Sequence, residues 1–64
     1  MFIEDVNGNL VNTRHIIKIR ITEPELEQET FEVVADISYG SIVLSKHETY
    51  RGAKQSMNKY IHMD

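Results

Sequence analysis

Cysteine is absent from the 64 residues of this chain. Disulfide bonds, thiolate metal sites and thiol nucleophiles are therefore excluded, and the redox compartment is left open. No apolar run approaches the roughly 20 residues of a membrane-spanning helix, and the amino terminus shows no basic segment followed by an apolar one, so we expect a cytoplasmic chain without a membrane partner. A chain of this length buries only about 60% of its unfolded surface. We therefore expect one domain, residues 1–64, whose thin core would gain from a partner.

Catalytic and ligand-binding motifs are also lacking. The sequence contains no GxxxxGK[ST], GxGxxG or GxSxG, which are the patterns that cradle phosphates or expose a nucleophilic serine. The histidines His15, His47 and His62 do not have the spacing of a compact metal site. The sequence thus predicts no enzyme, cofactor or metal.

The composition that is present is that of a folded domain. Apolar residues make up 41% and charged residues 27% of the chain, which argues against disorder. The net charge of −3 is too small to indicate an acidic mimic of nucleic acid or a general polyanion binder.

The segment Phe31–Leu44 organises the predicted fold. If the chain reverses at Tyr39-Gly40, Ile37 faces Ile42, and directly opposed residues of an antiparallel pair share one face of the sheet. Six apolar side chains then form one surface: Phe31, Val33, Ala35, Ile37, Ile42 and Leu44.

An earlier hairpin is predicted around Asn7-Gly8, because both residues reach positive φ at low cost. The flanking strands are Phe2–Val6 and Leu10–Thr13. A two-residue turn groups Phe2, Val6 and Val11, and a three-residue turn groups Val6 with Leu10, so the register stays open at this point.

A third strand is predicted at His15–Thr22, with Ile17, Ile19 and Ile21 facing inward. Ile16, Lys18 and Arg20 then face outward. The strand is followed by an acidic connection around Pro24, a residue that cannot donate to a β-ladder. We expect a solvated loop there, and the alternative is an acidic contact site for a basic partner.

The last element is a helix. Ser45–Glu48 fits a capping box, so we expect the helix to begin there. Tyr50, Ala53, Met57 and Ile61 recur on one helical face, and Gly52 lies on the polar side, where it costs about 1 kcal/mol relative to alanine or marks a close approach. The predicted fold is α+β: a small antiparallel sheet of about five strands, formed by two hairpins and a linking strand, with one C-terminal helix packed on one face.

The order of these features resembles small FlbD-like proteins, a family of short bacterial chains associated with flagella. The resemblance covers roughly the first three quarters of the chain and rests on turn residues and strand periodicity: Asn7-Gly8, Val11-Asn12, Ile16 and Ile19, Phe31–Ile37 and Gly40. The acidic segment 23–30 and the longer terminal helix depart from the family's pattern. The layout is also similar, more distantly, to LytTR-type DNA-binding domains.

The outer face of the predicted sheet carries three aliphatic residues, Ile16, Val34 and Val43. Aliphatic residues on a nominally solvated face indicate a covered surface. Either the first hairpin covers it or a protein partner does, with a second copy of the chain as one candidate partner. We therefore expect a small non-enzymatic regulatory module that binds protein through a sheet face or edge.

Two alternatives remain open from the sequence. A nucleic-acid-binding regulator would use Lys18, Arg20, Arg51 and Lys54, although these cations form no stripe on the predicted fold. An inhibitor of a host protein, encoded by a phage or mobile element, would fit the size and composition.

Overall fold

A computed structural model describes residues 1–61 of the chain. It contains five strands and one α-helix, in the order β1 Phe2–Glu4, β2 Leu10–Asn12, a 3-10 helix Thr13–His15, β3 Ile16–Thr22, β4 Phe31–Ile37, β5 Gly40–His47 and α1 Tyr50–Ile61. The α+β class, the antiparallel strands and the C-terminal helix are confirmed.

The strands form two sheets, and the expectation of a single sheet is wrong. β1 and β2 make a two-stranded ribbon, while β3, β4 and β5 make a three-stranded sheet with β4 in the centre. A backbone hydrogen bond links the two sheets: the Val6 amide donates to the Val43 carbonyl at 3.0 Å. One bond of this kind attaches the ribbon to the edge at β5 without extending the sheet.

The central hairpin turns one position earlier than predicted. Its turn residues are Ser38 and Tyr39, Ile37 pairs with Gly40, and Ile42 lies opposite Ala35 rather than Ile37. Near the turn, the observed partner of each residue is thus two positions away from the predicted one. Because side chains alternate with period two, these residues still face the predicted side of the sheet. A bulge between Val33 and Val34 makes Leu44 the extra residue of β5 and pairs Ser45 with Val33, and Leu44 remains in the core.

β3 contains a second bulge that reverses the predicted directions of two isoleucines. Ile16 pairs with Ile37 and Lys18 with Asp36, so Ile17 is the extra residue. Ile16 packs against the core, whereas the side chain of Ile17 is 72% exposed. The outward placement of Ile16 and the inward placement of Ile17 were therefore wrong, because an extra residue shifts the alternation of the strand by one.

The first hairpin has a five-residue loop, and neither predicted register is correct. Ile3 pairs with Val11 and Glu4 with Leu10. The loop is held by Asp5, whose Oδ1 accepts hydrogen bonds from the amides of residues 7 and 9 at 2.9 and 2.8 Å. Gly8 takes a φ of +85°, which glycine adopts without strain.

The N-cap of helix α1 lies four residues later than the capping box predicted, at Thr49 rather than Ser45. Ser45–His47 belong to β5 and pair with Phe31–Val33. Strand pairing therefore determines the structure of this segment, although its sequence fits a capping box. Thr49 is the N-cap residue, and its Oγ1 accepts a hydrogen bond from the Gly52 amide at 3.1 Å. His62 lies outside the described residues.

The helix and the first hairpin pack on the same side of the three-stranded sheet, which we call the inner face. One buried cluster contains side chains from the ribbon, the sheet and the helix: Ile3, Val11, Val33, Ala35, Leu44 and Ala53. Met57 and Tyr60 pack against this cluster, while Tyr50 and Ile61 remain half exposed. Since Ile3 and Val11 of the ribbon join the inner cluster, the ribbon is not the cover of the outer face.

Candidate functional site

An apolar groove opens where the first hairpin meets the turn between β4 and β5. Its lining includes Phe2 and Leu10 from the ribbon, His15 from the 3-10 helix, and Ile37, Tyr39 and Ile42 from the central hairpin. We call this the apolar groove. It lies at the end of the inner face that carries the Ser38-Tyr39 turn.

The exposure of the groove follows from the alternation of side chains in the ribbon. Ile3 and Val11 face the core, so their neighbours Phe2 and Leu10 must face away from it. Phe2 and Leu10 are diagonal neighbours on that second face, within reach of each other. They remain 60% and 70% exposed. The ribbon thus carries apolar side chains on both faces, and only those of the face with Ile3 and Val11 are buried.

Tyr39 completes the exposed apolar surface from the other side of the groove. It is a turn residue of the central hairpin and its side chain is 83% exposed. Tyrosine offers a large, rigid contact area with a polar end, and it is enriched at protein interfaces for that reason. Three large apolar side chains from two separate hairpins therefore surround one groove.

The size of the groove limits what it can bind. Its volume is about 250 Å³, slightly below the range of roughly 300–1,000 Å³ typical of small-molecule sites. A wider hollow of about 650 Å³ is lined by Glu25, Leu26, Glu27 and Gln28 alone, so it is an open notch of the acidic loop. The apolar groove has room for one or two side chains.

The predicted interaction residues Ile16, Val34 and Val43 do not come together as an exposed patch. Ile16 lies on the inner face. Val34 and Val43 are directly opposite each other on the outer face, but only 4% of Val34 is exposed. Arg20 lies opposite Val34 on its other side, and its side chain must run past Val34 to reach Asp36.

An ion-pair network occupies this outer face. Arg20 donates to Asp36 through Nε at 2.9 Å and Nη2 at 3.2 Å, and Ser41 Oγ donates to the same carboxylate at 2.7 Å. Lys18 Nζ lies 3.8 Å from it. The hydrogen bonds from Arg20 and then Ser41 lower the pKa of Asp36 from 3.8 to about 2. The pKa of Arg20 is raised, chiefly by the same hydrogen bonds to Asp36.

The four cations considered for nucleic-acid contact fall on two sides of the molecule. Lys18 and Arg20 lie on the outer face and share Asp36. Arg51 and Lys54 are exposed on α1, which packs on the inner face. A phosphate backbone would need these charges on one continuous surface.

A small polar cluster joins β5 to α1. Ser45 Oγ lies 2.8 Å from His47 Nε2 and 3.1 Å from Ser56 Oγ. A serine beside a histidine nitrogen is the pairing used by nucleophilic enzymes, in which a third group orients the histidine. Within residues 1–61, the side-chain hydrogen bonds of His47 go to Ser45 alone. The cluster therefore connects a strand to a helix and does not have the geometry of a triad.

Clusters of metal-binding side chains and helices able to span a membrane are two further features considered in the described part of the chain. No group of three or more histidine, aspartate or glutamate side chains there is arranged to hold a metal ion. The 12-residue helix α1 is too short and too polar to cross a bilayer, and it is the one α-helix between residues 1 and 61.

Comparison with known proteins adds no relationship: no protein-family model, curated protein or solved structure matches this chain. The resemblance to FlbD-like proteins therefore stays a prediction.

Sequence reasoning missed the apolar groove, although one signal was present. Both Phe2-Ile3 and Leu10-Val11 are pairs of adjacent apolar residues in short strands. Adjacent strand residues face opposite ways, so each pair must place one apolar side chain outside the core. Where the ribbon would sit, and thus which residues of the central hairpin would join it, depends on tertiary packing.

Proposed function

We propose that this chain is a small non-enzymatic module that binds protein, and that the apolar groove is its binding surface. The observation that carries the proposal is the convergence of Phe2, Leu10 and Tyr39, all more than half exposed, around one groove. Large apolar patches on small monomeric domains mark interaction sites. The function expected from the sequence is kept, while its location moves from the outer face to the groove.

The energetics of burial favour a protein ligand. Removing apolar surface from water stabilises a complex by about 25 cal/mol per Å², and aromatic anchors dominate many interfaces. The groove offers two aromatic rings and aliphatic walls, with Asn12 and His15 as polar groups in its lining. A partner that inserts one or two apolar side chains would use this surface fully.

The outer face supports the proposal less well. Its two valines lie between the Asp36 network and a second ion pair, in which Lys46 Nζ is 3.8 Å from Glu32 Oε2. A ligand docking there would have to displace or desolvate charged side chains. The desolvation penalty of those charges exceeds the favourable free energy of binding unless new ion pairs form.

A peptide-display selection tests the proposed function. A library of random peptides would be selected on the wild-type chain, and the enriched peptides would be measured against Leu10→Asp and Leu26→Asp. Both variants replace an exposed leucine with aspartate, so they are matched in chemistry and differ in place. At protein concentrations low enough to keep the chain monomeric, we expect Leu10→Asp to weaken binding at least tenfold and Leu26→Asp to leave it unchanged.

The opposite pattern would overturn the proposal. Peptides that bind Leu10→Asp as tightly as the wild type would place the binding surface elsewhere, and a selection that enriches nothing would count against a peptide-binding groove. Circular dichroism of each variant is the control for folding. Neither change should alter the spectrum, because both side chains point into solvent.

A further inference from the structure

The connection between β3 and β4 is a preorganised acidic loop. At its tip the Glu25 amide donates to the Gln28 carbonyl at 2.8 Å and the Gln28 amide donates to the Glu25 carbonyl at 3.1 Å. The side-chain amide of Gln28 donates to the Thr30 carbonyl at 2.7 Å and lies 3.4 Å from Thr22 Oγ1. These bonds fix the base and the tip of the loop to each other.

This loop presents a leucine. Leu26 lies at the tip between Glu25 and Glu27, and its side chain is fully exposed. Ordering a flexible loop is a large part of the cost of binding. A loop that is already held by its own hydrogen bonds avoids much of that cost, so Leu26 is placed as an anchor rather than as an incidental surface residue.

The charges of the loop and of the groove's margin are complementary. Four exposed glutamates surround the leucine: Glu23, Glu25, Glu27 and Glu29. His15 lines the groove and Arg14 precedes it in the 3-10 helix. Both are exposed, and neither enters an ion pair with another residue of 1–61. Glu4 lies opposite Leu10 on the ribbon and would repel the glutamates of the loop. A docked loop would therefore approach the groove from the side of Arg14.

The loop cannot reach the groove of its own chain. The pair Thr22 and Glu32 lies at the loop end of the sheet, and the pair Ile16 and Ile37 lies at the groove end. The regular strand β4 takes five steps between these pairs, which is about 17 Å at 3.3 Å per residue. Two antiparallel copies, in contrast, would place each loop beside the other's groove.

We infer that the groove of one copy binds Leu26 of a second copy, with the two contacts related by a two-fold axis. This inference rests on the proposed function and names the partner. A small stable interface buries roughly 1,200 Å² in total, or about 600 Å² per copy. That is about one eighth of the 4778 Å² surface of the chain, and each copy supplies both a loop and a groove. The thin core of a 64-residue chain gives association a thermodynamic benefit.

Directed cross-linking tests the contact, since the natural chain has no cysteine. A Leu26→Cys chain would be mixed with a longer, tagged Tyr39→Cys chain and oxidised. A disulfide requires Cα atoms within about 7 Å, so the mixed species forms efficiently only where the loop of one chain reaches the groove of the other. The control replaces Tyr39→Cys by Asn58→Cys, an exposed position on α1.

We expect the disulfide between positions 26 and 39 to form at least tenfold faster than the control disulfide between positions 26 and 58. A further Leu10→Asp change in the tagged chain should abolish this difference in rate. Equal rates for the two pairs would overturn the inference. If the rates are equal while the selected peptides still bind at Leu10, the proposed function stands and the partner is a different protein. If neither contact is observed, both proposals fail.

Discussion

The amide of Val6 donates to the carbonyl of Val43 at 3.0 Å and thereby fixes the first hairpin against the edge of the three-stranded sheet. The bond has two consequences for the surface. It occupies part of the β5 edge, and it sets the ribbon beside the β4–β5 turn, so that Phe2 and Leu10 face Tyr39 across the apolar groove. The groove is a product of how two hairpins meet rather than a property of either one.

The neighbouring isoleucines of β3 give a direct test of the bulge. We expect Ile17→Lys to change the free energy of unfolding by less than about 0.5 kcal/mol, since its side chain is already in solvent. Ile16→Lys should cost about 2 kcal/mol because it removes a side chain packed against the core. Urea denaturation followed by circular dichroism measures both. A larger loss of stability for Ile17→Lys than for Ile16→Lys would show that β3 pairs without the bulge.

The start of α1 gives a second test. Thr49→Ala should lower the free energy of unfolding by about 1 kcal/mol, because it removes the acceptor of the Gly52 amide. Thr49→Asp is the matched control and should retain most of the stability, since aspartate also caps helices. Urea titration of the three proteins decides the point. If Thr49→Ala is neutral, the helix does not begin where the structure places it.

Gly52 is predicted to tolerate alanine. A Cβ atom there would lie 3.3 Å from Thr49 Oγ1 and 3.5 Å from the Cβ of His47, so the space is tight but sufficient. The gain from replacing a helical glycine is about 1 kcal/mol, and crowding should reduce it to about 0.5 kcal/mol. We expect Gly52→Ala to raise the thermal midpoint slightly and Gly52→Leu to lower it, because a larger side chain would meet His47. A drop for Gly52→Ala would show that the contact cannot relax.

The Asp36 network predicts a specific dependence of stability on pH. The pKa of Asp36 is lowered from 3.8 to about 2 in the folded chain, so its carboxylate stabilises the fold at pH values above 3.8. That contribution is lost progressively as the pH falls from 3.8 through 2, when the carboxylate is protonated.

The measurement for this prediction is a series of urea titrations between pH 7 and pH 2. Asp36→Asn should be less stable than the wild type at pH 7 and should lose less on acidification. The difference between the two proteins should also shrink in high salt, because Lys18 and Arg20 are partly exposed. Parallel pH curves for the two proteins would contradict the assignment.

Much of the fold could be predicted from the sequence, because period-two alternation is unchanged by a register error of two residues. The central hairpin was misplaced by two residues in its pairing, and yet Ala35, Ile37 and Ile42 still share one face. The Asn7-Gly8 turn and the amphipathic helix were also found from local chemistry. These features depend on neighbouring residues and on simple periodicity.

The errors arose where tertiary structure overrides the local pattern. The bulge at Ile17 inserts one residue and inverts the alternation, and no nearby residue marks it. The capping box at Ser45 was outweighed by pairing with Val33 across the ladder. The split into two sheets follows from the position of the first hairpin, which the sequence leaves undetermined, and that position also creates the groove.

The molar mass in solution tests the central claim most directly. Light scattering across a concentration series should give the wild type a mass rising from 7.5 kDa toward twice that value. Leu10→Asp and Leu26→Asp should each stay at 7.5 kDa while keeping the wild-type circular dichroism spectrum. A wild-type mass of 7.5 kDa at every concentration, or variants that associate as the wild type does, would contradict binding of Leu26 in the apolar groove of a second copy.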